Sequence, residues 1–416
     1  MRRITALILI LTLTAGIICS CKKEEEVQLP ADFGTYGADF ARNLATEYPY
    51  RKAYSIQEQL AGIMIKEEFE ALGYEVQTQP FTSENGENSN NYIAMYKGSG
   101  FYSKNNDTGE YIPTERYIVI GAHYDSSYTR EELDAYNAAQ VEEKGEDAVT
   151  YSYDGINGNA SGVGALMTCA KEINSYNKLG FNVIFVAFGA STDDFLGART
   201  FLNALTPDVK SKIEAMFCID SIYAGDKIYA NSGLSSLLPG RKYAMRRKLY
   251  QTYDVAFENN LLTNNGFNLL YNESRLQVDV TGDEVADLYN EISVNKSDYV
   301  PFDEARIPVV FFDSFDYNFK SIEEMHDTKN LDLQDFGGMI RGTYLDSIDR
   351  LDPILNGEEG DLLATRINNV AFVILGAGMK GSDTALTYTQ YMAALESERS
   401  AETAVTTTST IATMAG

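Results

Sequence analysis

Basic side chains are in the minority here. Lys and Arg number 34 against 60 Asp and Glu, a formal net charge of -26 over 416 residues. Such a surface repels phosphate backbones, which argues against a nucleic-acid partner. Tryptophan is absent and tyrosine occurs 28 times, counts from which no function follows. Histidine occurs only as His123 and His326. Of four cysteines, two fall within the first 21 residues. The other two, Cys169 and Cys218, sit in apolar runs and read as buried free thiols. One such pair is too little to define a disulfide framework. No internal repeat is present. The chain is long enough for a sizeable core, in one large α/β domain or two smaller ones.

The N-terminus carries a targeting pattern. Met1-Arg-Arg supplies a positive start, and residues 4–18 an apolar stretch too short and too early for a permanent membrane span. It runs into Ile18-Cys-Ser-Cys21, which resembles a bacterial lipoprotein signal. Small Ser20 before Cys21 fits that signal better than bulky Ile18 before Cys19. The resemblance implies a leader over residues 1–21, lipidation of Cys21, and a polar tether over 22–30. It also implies an extracytoplasmic place in the cell envelope, attached to membrane through the lipid.

Apolar spacing through Ile56, Leu60, Ile63 and Phe69 predicts helix within residues 31–72, stopped at Gly73. Residues 74–81 alternate like a strand, and 91–96 read as another. Residues 117–121 are apolar throughout, as in a sheet covered on both faces. Helix is predicted at 160–173, buried strand at 181–188 and 215–219, strand at 308–312, and a long apolar helix at 362–375. This alternation predicts an α/β sandwich with a largely parallel sheet. Residues 97–115, acidic 130–148, and 223–297 with a helix near 241–258 read as insertions. The Thr- and Ala-rich end, 397–416, lacks a core pattern and reads as disordered, which sets the domain at 31–396.

Chemistry-bearing residues cluster at strand ends, where open α/β sheets bind ligands. Ile118-Val-Ile-Gly-Ala-His-Tyr-Asp-Ser126 ends in His123 and Asp125. Gly155-Ile-Asn-Gly-Asn-Ala-Ser-Gly-Val163 opens a helix. Phe188-Gly-Ala-Ser-Thr-Asp-Asp-Phe-Leu-Gly197 follows one buried strand, and Cys218-Ile-Asp220 closes another. Ser297-Asp-Tyr-Val-Pro-Phe302 and Gly342-Thr-Tyr-Leu-Asp-Ser-Ile-Asp-Arg-Leu-Asp352 come later. Together these resemble the metal-site framework of the co-catalytic di-zinc aminopeptidases, the zinc exopeptidases of aminopeptidase Y type. The resemblance runs over roughly residues 31–375. It implies a three-layer α/β sandwich with a mixed, largely parallel central sheet.

The same resemblance implies roles by position. His123 and Asp220 stand where the first zinc has ligands, and Asp125 where a carboxylate orients the histidine. The carboxylate that bridges both metals falls on Gly158. The general base falls on Ser191, and second-zinc ligands fall on Thr192 and Gly342. Tyr299 stands where the family has histidine. His123 and Asp220 are thus expected as vestigial ligands, and Gly158, Thr192 and Gly342 as lost ones. Zinc needs three or four protein ligands, and a metal-bound water needs a base.

The expectation is an exported, lipid-anchored, aminopeptidase-like protein without hydrolytic activity and without a cofactor. It would act as a scaffold or bind a peptide or protein, in a cleft lined by Asn159, Ser191, Thr192, Asp193, Asp194 and Tyr299. One alternative is an active zinc-dependent metalloexopeptidase with ligands rearranged from Asp154, Asp193, Asp194 or His326. Another is a surface interaction protein whose acidic insertions meet a basic partner. His326 by itself reads as a surface residue of an inserted loop.

Overall fold

A computed structural model describes residues 30–400 except 177–178, 275–276, 280–282, 286, 289, 322–323 and 358–359. The leader, Cys21, nearly all of the tether, and residues 401–416 lie outside the described residues.

The first two helices are α1 (Tyr36–Glu47) and α2 (Ile56–Ala71), followed by strands β1 (Val76–Thr82) and β2 (Asn88–Tyr96). A hairpin of β3 (Phe101–Lys104) and β4 (Tyr111–Thr114) leads to β5 (Tyr117–His123) and α3 (Arg130–Lys144). Then come α4 (Ser161–Glu172), β6 (Asn182–Phe188), α5 (Leu196–Ala204), α6 (Pro207–Ser211), β7 (Ile213–Ile219) and β8 (Lys227–Asn231). After α7 (Lys242–Glu258) and α8 (Leu261–Asn265) lie β9 (Leu269–Leu270) and the small pair β10 (Gln277–Val278) and β11 (Asp287–Leu288). The chain ends through α9 (Val300–Glu304), β12 (Val309–Phe315), α10 (Ile348–Leu355) and α11 (Leu362–Met379).

Eight strands form one sheet in the order β1-β2-β6-β5-β7-β12-β8-β9. The four central strands β6, β5, β7 and β12 are mutually parallel, while β1, β2 and β8 join antiparallel. Side chains alternate across it. Ile118 and Ile120 of β5 enter one core with α1, α4 and α11, whereas Val119 enters the opposite core with Phe201 and Phe302. This mixed, largely parallel sheet with helices on both faces is the predicted architecture. Helix α11 is apolar and long enough to cross a membrane, yet 72% of it is buried. It is a core helix against α1, α4 and α7.

Four readings of the chain change. The first helical segment is two helices, broken at residues 48–55. On α2 the apolar face was misjudged: Ile56 is 74% exposed, and Leu60 and Ile63 also face solvent. The buried face carries Glu58, Ala61, Gly62, Ile65 and Phe69. Gly62 explains it, because a Cβ there would lie 2.3 Å from the Tyr92 ring, so only this face approaches β2. The acidic segment at 130–148 contains helix α3, started by a capping box between Thr129 and Glu132. Residues 388–400 are helical, so helix continues past the expected start of the tail at 397. Cys169 and Cys218 are buried free thiols, as read from the sequence.

Candidate functional site

His123 ends β5, and the carboxyl ends of β5, β7 and β12 place it beside Asp220. Its Nε2 lies 3.5 Å from Asp220 Oδ1, and its Nδ1 lies 3.3 Å from Asp125 Oδ1 and 3.0 Å from the Asp125 carbonyl oxygen. Burial disfavours charge on the ring, but Asp220 and Asp125 outweigh it and raise the His123 pKa well above the ordinary value. The ring is held between two carboxylates, whose charges favour its protonated form.

Two buried side chains fix the loops around this pair. Arg51 donates to the carbonyls of Tyr48, Tyr124, Asp154 and Gly155, tying the segment after β5 to the entry of α4. Glu58 accepts from the Ser89 hydroxyl and from the amides of Tyr54 and Ala190, which anchors the loop after β6. Burial raises the Glu58 pKa, and the charge of Asp125 adds to it. Neither residue carries a motif signal. A lone charged residue in a helical pattern gives no sign of which way it faces.

The loop after β6 wraps Asp125. Ser191 N–H donates to Asp125 Oδ1 at 3.0 Å, while Thr192 donates to Oδ2 through N–H at 2.9 Å and hydroxyl at 2.8 Å. Burial works against the Asp125 charge, but His123 and these amides hold its pKa below the ordinary value. Ser191 Oγ donates to Asp298 Oδ2 at 2.9 Å. The other Asp298 oxygen is buried without a hydrogen-bond partner, and burial pushes Asp298 up to about 7.

Gly158 lies near Ser221, Asp346 and Arg341. Its N–H and that of Asn157 donate to the two oxygens of Asp346 at 2.9 and 2.7 Å. Burial raises Asp346 to about 7 despite those bonds. A Cβ on Gly158 would lie 3.2 Å from Ser221 Oγ, 3.3 Å from Asp346 Oδ2 and 4.0 Å from Arg341 Cγ. Gly342 belongs to the same end of the sheet, its carbonyl accepting from the Tyr128 hydroxyl at 2.6 Å.

Arg341, which the motif comparison passed over, is the main addition. Its Nη1 lies 3.6 Å from Asp220 Oδ2, its Nη2 donates to the Asp220 carbonyl, and its Nε donates to Ser221 Oγ at 3.1 Å. Ser221 in turn donates to Asp220 Oδ1. The side chain is 22% exposed, with its head set against acidic groups. Burial opposes its charge, but Asp220, Asp313 and Asp327 outweigh that and raise its pKa. Conversely, burial would raise Asp220, but Arg341 and then His123 hold it below the usual carboxylate range. The available clue was a cation directly before Gly342, the position of a lost metal ligand.

The remaining expected residues divide. Asn159 is an internal brace: it donates to the Ile219 carbonyl and accepts from the amides of Gly162 and Ser221. Tyr299 does not line the cleft. It is buried against Phe311 and donates to the Asn295 carbonyl, because α9 turns it into the apolar core. Asp193 accepts from the Tyr54 hydroxyl, and Asp194 pairs with Arg199 at 3.1 Å. Asp154 accepts from the amides of Ile156 and Ile348. His326 sits 3.0 Å from Asp316. Each of these four proposed replacements is thus committed to a partner other than His123 or Asp220.

The side chains present do not fit zinc. Tetrahedral zinc takes three or four ligands at about 2 Å. Here His123 and Asp220 remain, Gly158 and Gly342 offer no donor, Thr192 bonds Asp125, and the Arg341 cation leans on Asp220. Among the described residues, no group of three His, Cys, Asp or Glu is arranged to hold a metal ion. Arg341 faces Asp220, and His123 lies between Asp220 and Asp125.

Fold and strand-end arrangement together define a zinc-exopeptidase-like α/β protein. Residues 104–340 match peptidase family M28, and the chain belongs to that family. The alkaline phosphatase isozyme conversion protein of Escherichia coli is 24% identical over 222 residues, covering 52% of this chain and 59% of that protein. The match thus spans less than two thirds of the curated relative. BSAP, a zinc aminopeptidase from Bacillus subtilis, superposes with a TM-score of 0.52 at 13% identity over 87% of this chain and 99% of that one. Porphyromonas gingivalis glutaminyl cyclase gives 0.51 at 17% identity over 85% and 98%. At these identities the solved structures report the fold alone.

Proposed function

We propose that this chain is a non-hydrolytic member of peptidase family M28, exported and lipid-anchored through Cys21. In this reading its cleft binds the end of a peptide or protein ligand. The observation that carries the reading is Arg341 against Asp220, a fixed organic cation where a hydrolytic relative would need a metal. Ser191, at the position that the resemblance gives to the general base, is a hydroxyl that donates its proton to Asp298. Asp298 offers a buried carboxylate oxygen without a partner, a natural acceptor for an ammonium or amide N–H.

The test is direct. Protein purified without chelator is assayed for zinc and for hydrolysis of aminoacyl-arylamides. Substoichiometric zinc and background hydrolysis are the expected results. Hydrolysis abolished by chelator and restored by zinc overturns the proposal.

A further inference from the structure

At the opposite end of the sheet, a cavity of about 690 Å³ opens beside the starts of β7 and β12, with Arg116 just before β5 on its wall. The strands it underlies are seven residues long, so it lies roughly 20 Å from His123. Its composition inverts that of the chain. Acidic residues outnumber basic ones 60 to 34 overall, yet six basic and two acidic side chains line this cavity.

The two acids are already engaged. Glu214 pairs with Arg116 at 3.5 Å, and Asp383 pairs with Arg247. Lys248 is buried in the wall, donating to the carbonyls of Ala377 and Gly381. That leaves Lys210, Arg241 and Arg306. Their side chains have no hydrogen bond or ion pair among the described residues, and all three line the cavity. In so acidic a protein, three cations converging without a carboxylate each are a local excess that a multiply charged anion would neutralise. Guanidinium forks match the paired oxygens of a phosphoryl group, and Arg241 and Arg306 supply two of them. Met245, Ile307 and Pro308 add an apolar wall.

We propose that this cavity is a binding site for a phosphorylated small molecule carrying at least two negative charges. Lys210, Arg241 and Arg306 provide the charge, and Arg116 and Arg247 flank it. The site is separate from the cleft of His123 and does not depend on the proposed function.

Calorimetric titration of the full chain with inorganic pyrophosphate at low ionic strength tests this. Saturable binding is expected, weakening as salt rises. The double variant Arg241→Ala, Arg306→Ala should bind at least tenfold more weakly. Both side chains are exposed and unpaired, so its fold and melting temperature should not change. Lys210→Ala alone should give a smaller loss. Parallel arms use citrate and vesicles of phosphatidylglycerol. No pyrophosphate binding, equal binding by the double variant, or binding of citrate or vesicles alone overturns the proposal.

Discussion

Replacing Arg341 with methionine removes the guanidinium that faces Asp220 while keeping an apolar stem of similar reach. At 3.6 Å and an effective dielectric constant near 20, the attraction is worth about 4–5 kcal/mol before desolvation. Removing one partner of a buried pair typically costs about 3–5 kcal/mol, because the other charge is left uncompensated. The side chain is 22% exposed, which places the expected loss near about 3 kcal/mol. Urea denaturation of Arg341→Met at neutral pH should therefore show a markedly lower midpoint with an unchanged slope. Adding Asp220→Asn removes the stranded carboxylate, so the double variant should regain about 2 kcal/mol over the single one. The pH dependence follows in sign. Asp220 has a depressed folded-state pKa, so its contribution is present above the unfolded carboxylate value and fades as pH falls through the folded value. The gap between wild type and Arg341→Met should accordingly narrow in strong acid. A single variant within about 0.5 kcal/mol of wild type, or a double variant losing the sum of both changes, would refute the stand-in role.

Asp298 is raised to about 7, so it stabilises the fold below its unfolded value near 4 and loses that contribution as pH rises towards 7. Denaturation curves of Asp298→Asn between about pH 4 and 7 should fall less steeply with pH than those of wild type, by up to about 4 kcal/mol in all; an unaltered slope counts against this assignment. Rebuilding the metal site with Gly158→Asp, Ser191→Glu, Thr192→Glu and Gly342→His should recover zinc binding, read by metal analysis, only when Arg341→Ala is added. The four changes binding zinc equally well with Arg341 in place would contradict its blocking role. Gly342 has φ +67°, so histidine there carries a left-handed strain of about 1–2 kcal/mol. Cys21→Ala should abolish lipid attachment, and unchanged mass and membrane partition of that variant would rule out Cys21 as the anchor.

Much of the architecture was legible along the chain because it rests on local periodicity. Apolar runs marked the central strands β5, β6 and β7, and Gly-Asn-Ala-Ser-Gly marked the entry to α4. His123, Asp125 and Asp220 were found because each ends a strand, and strand ends gather at one edge of a parallel sheet. The positions Gly158, Thr192 and Gly342 were singled out only by the resemblance to the di-zinc aminopeptidases, because nothing in local periodicity marks a side chain as missing.

Tertiary structure decided what faces what. Ile56 and Leu60 belong to the apolar spacing that predicts α2, but close packing of Gly62 on Tyr92 leaves them outside and turns Glu58 inward. Tyr299 was assigned to the cleft, and the turn into α9 buried it beneath the sheet. Arg341 and Asp220 are 121 residues apart, and nothing in either local pattern links them. Charge pairing across such a separation is set by where loops return, with Asp346 and Arg51 holding those loops through backbone amides and carbonyls. The sequence alone therefore determined the sheet and the residues that stand at its strand ends. Only the folded chain decided that Arg341, through Coulomb attraction, would face Asp220 beside His123.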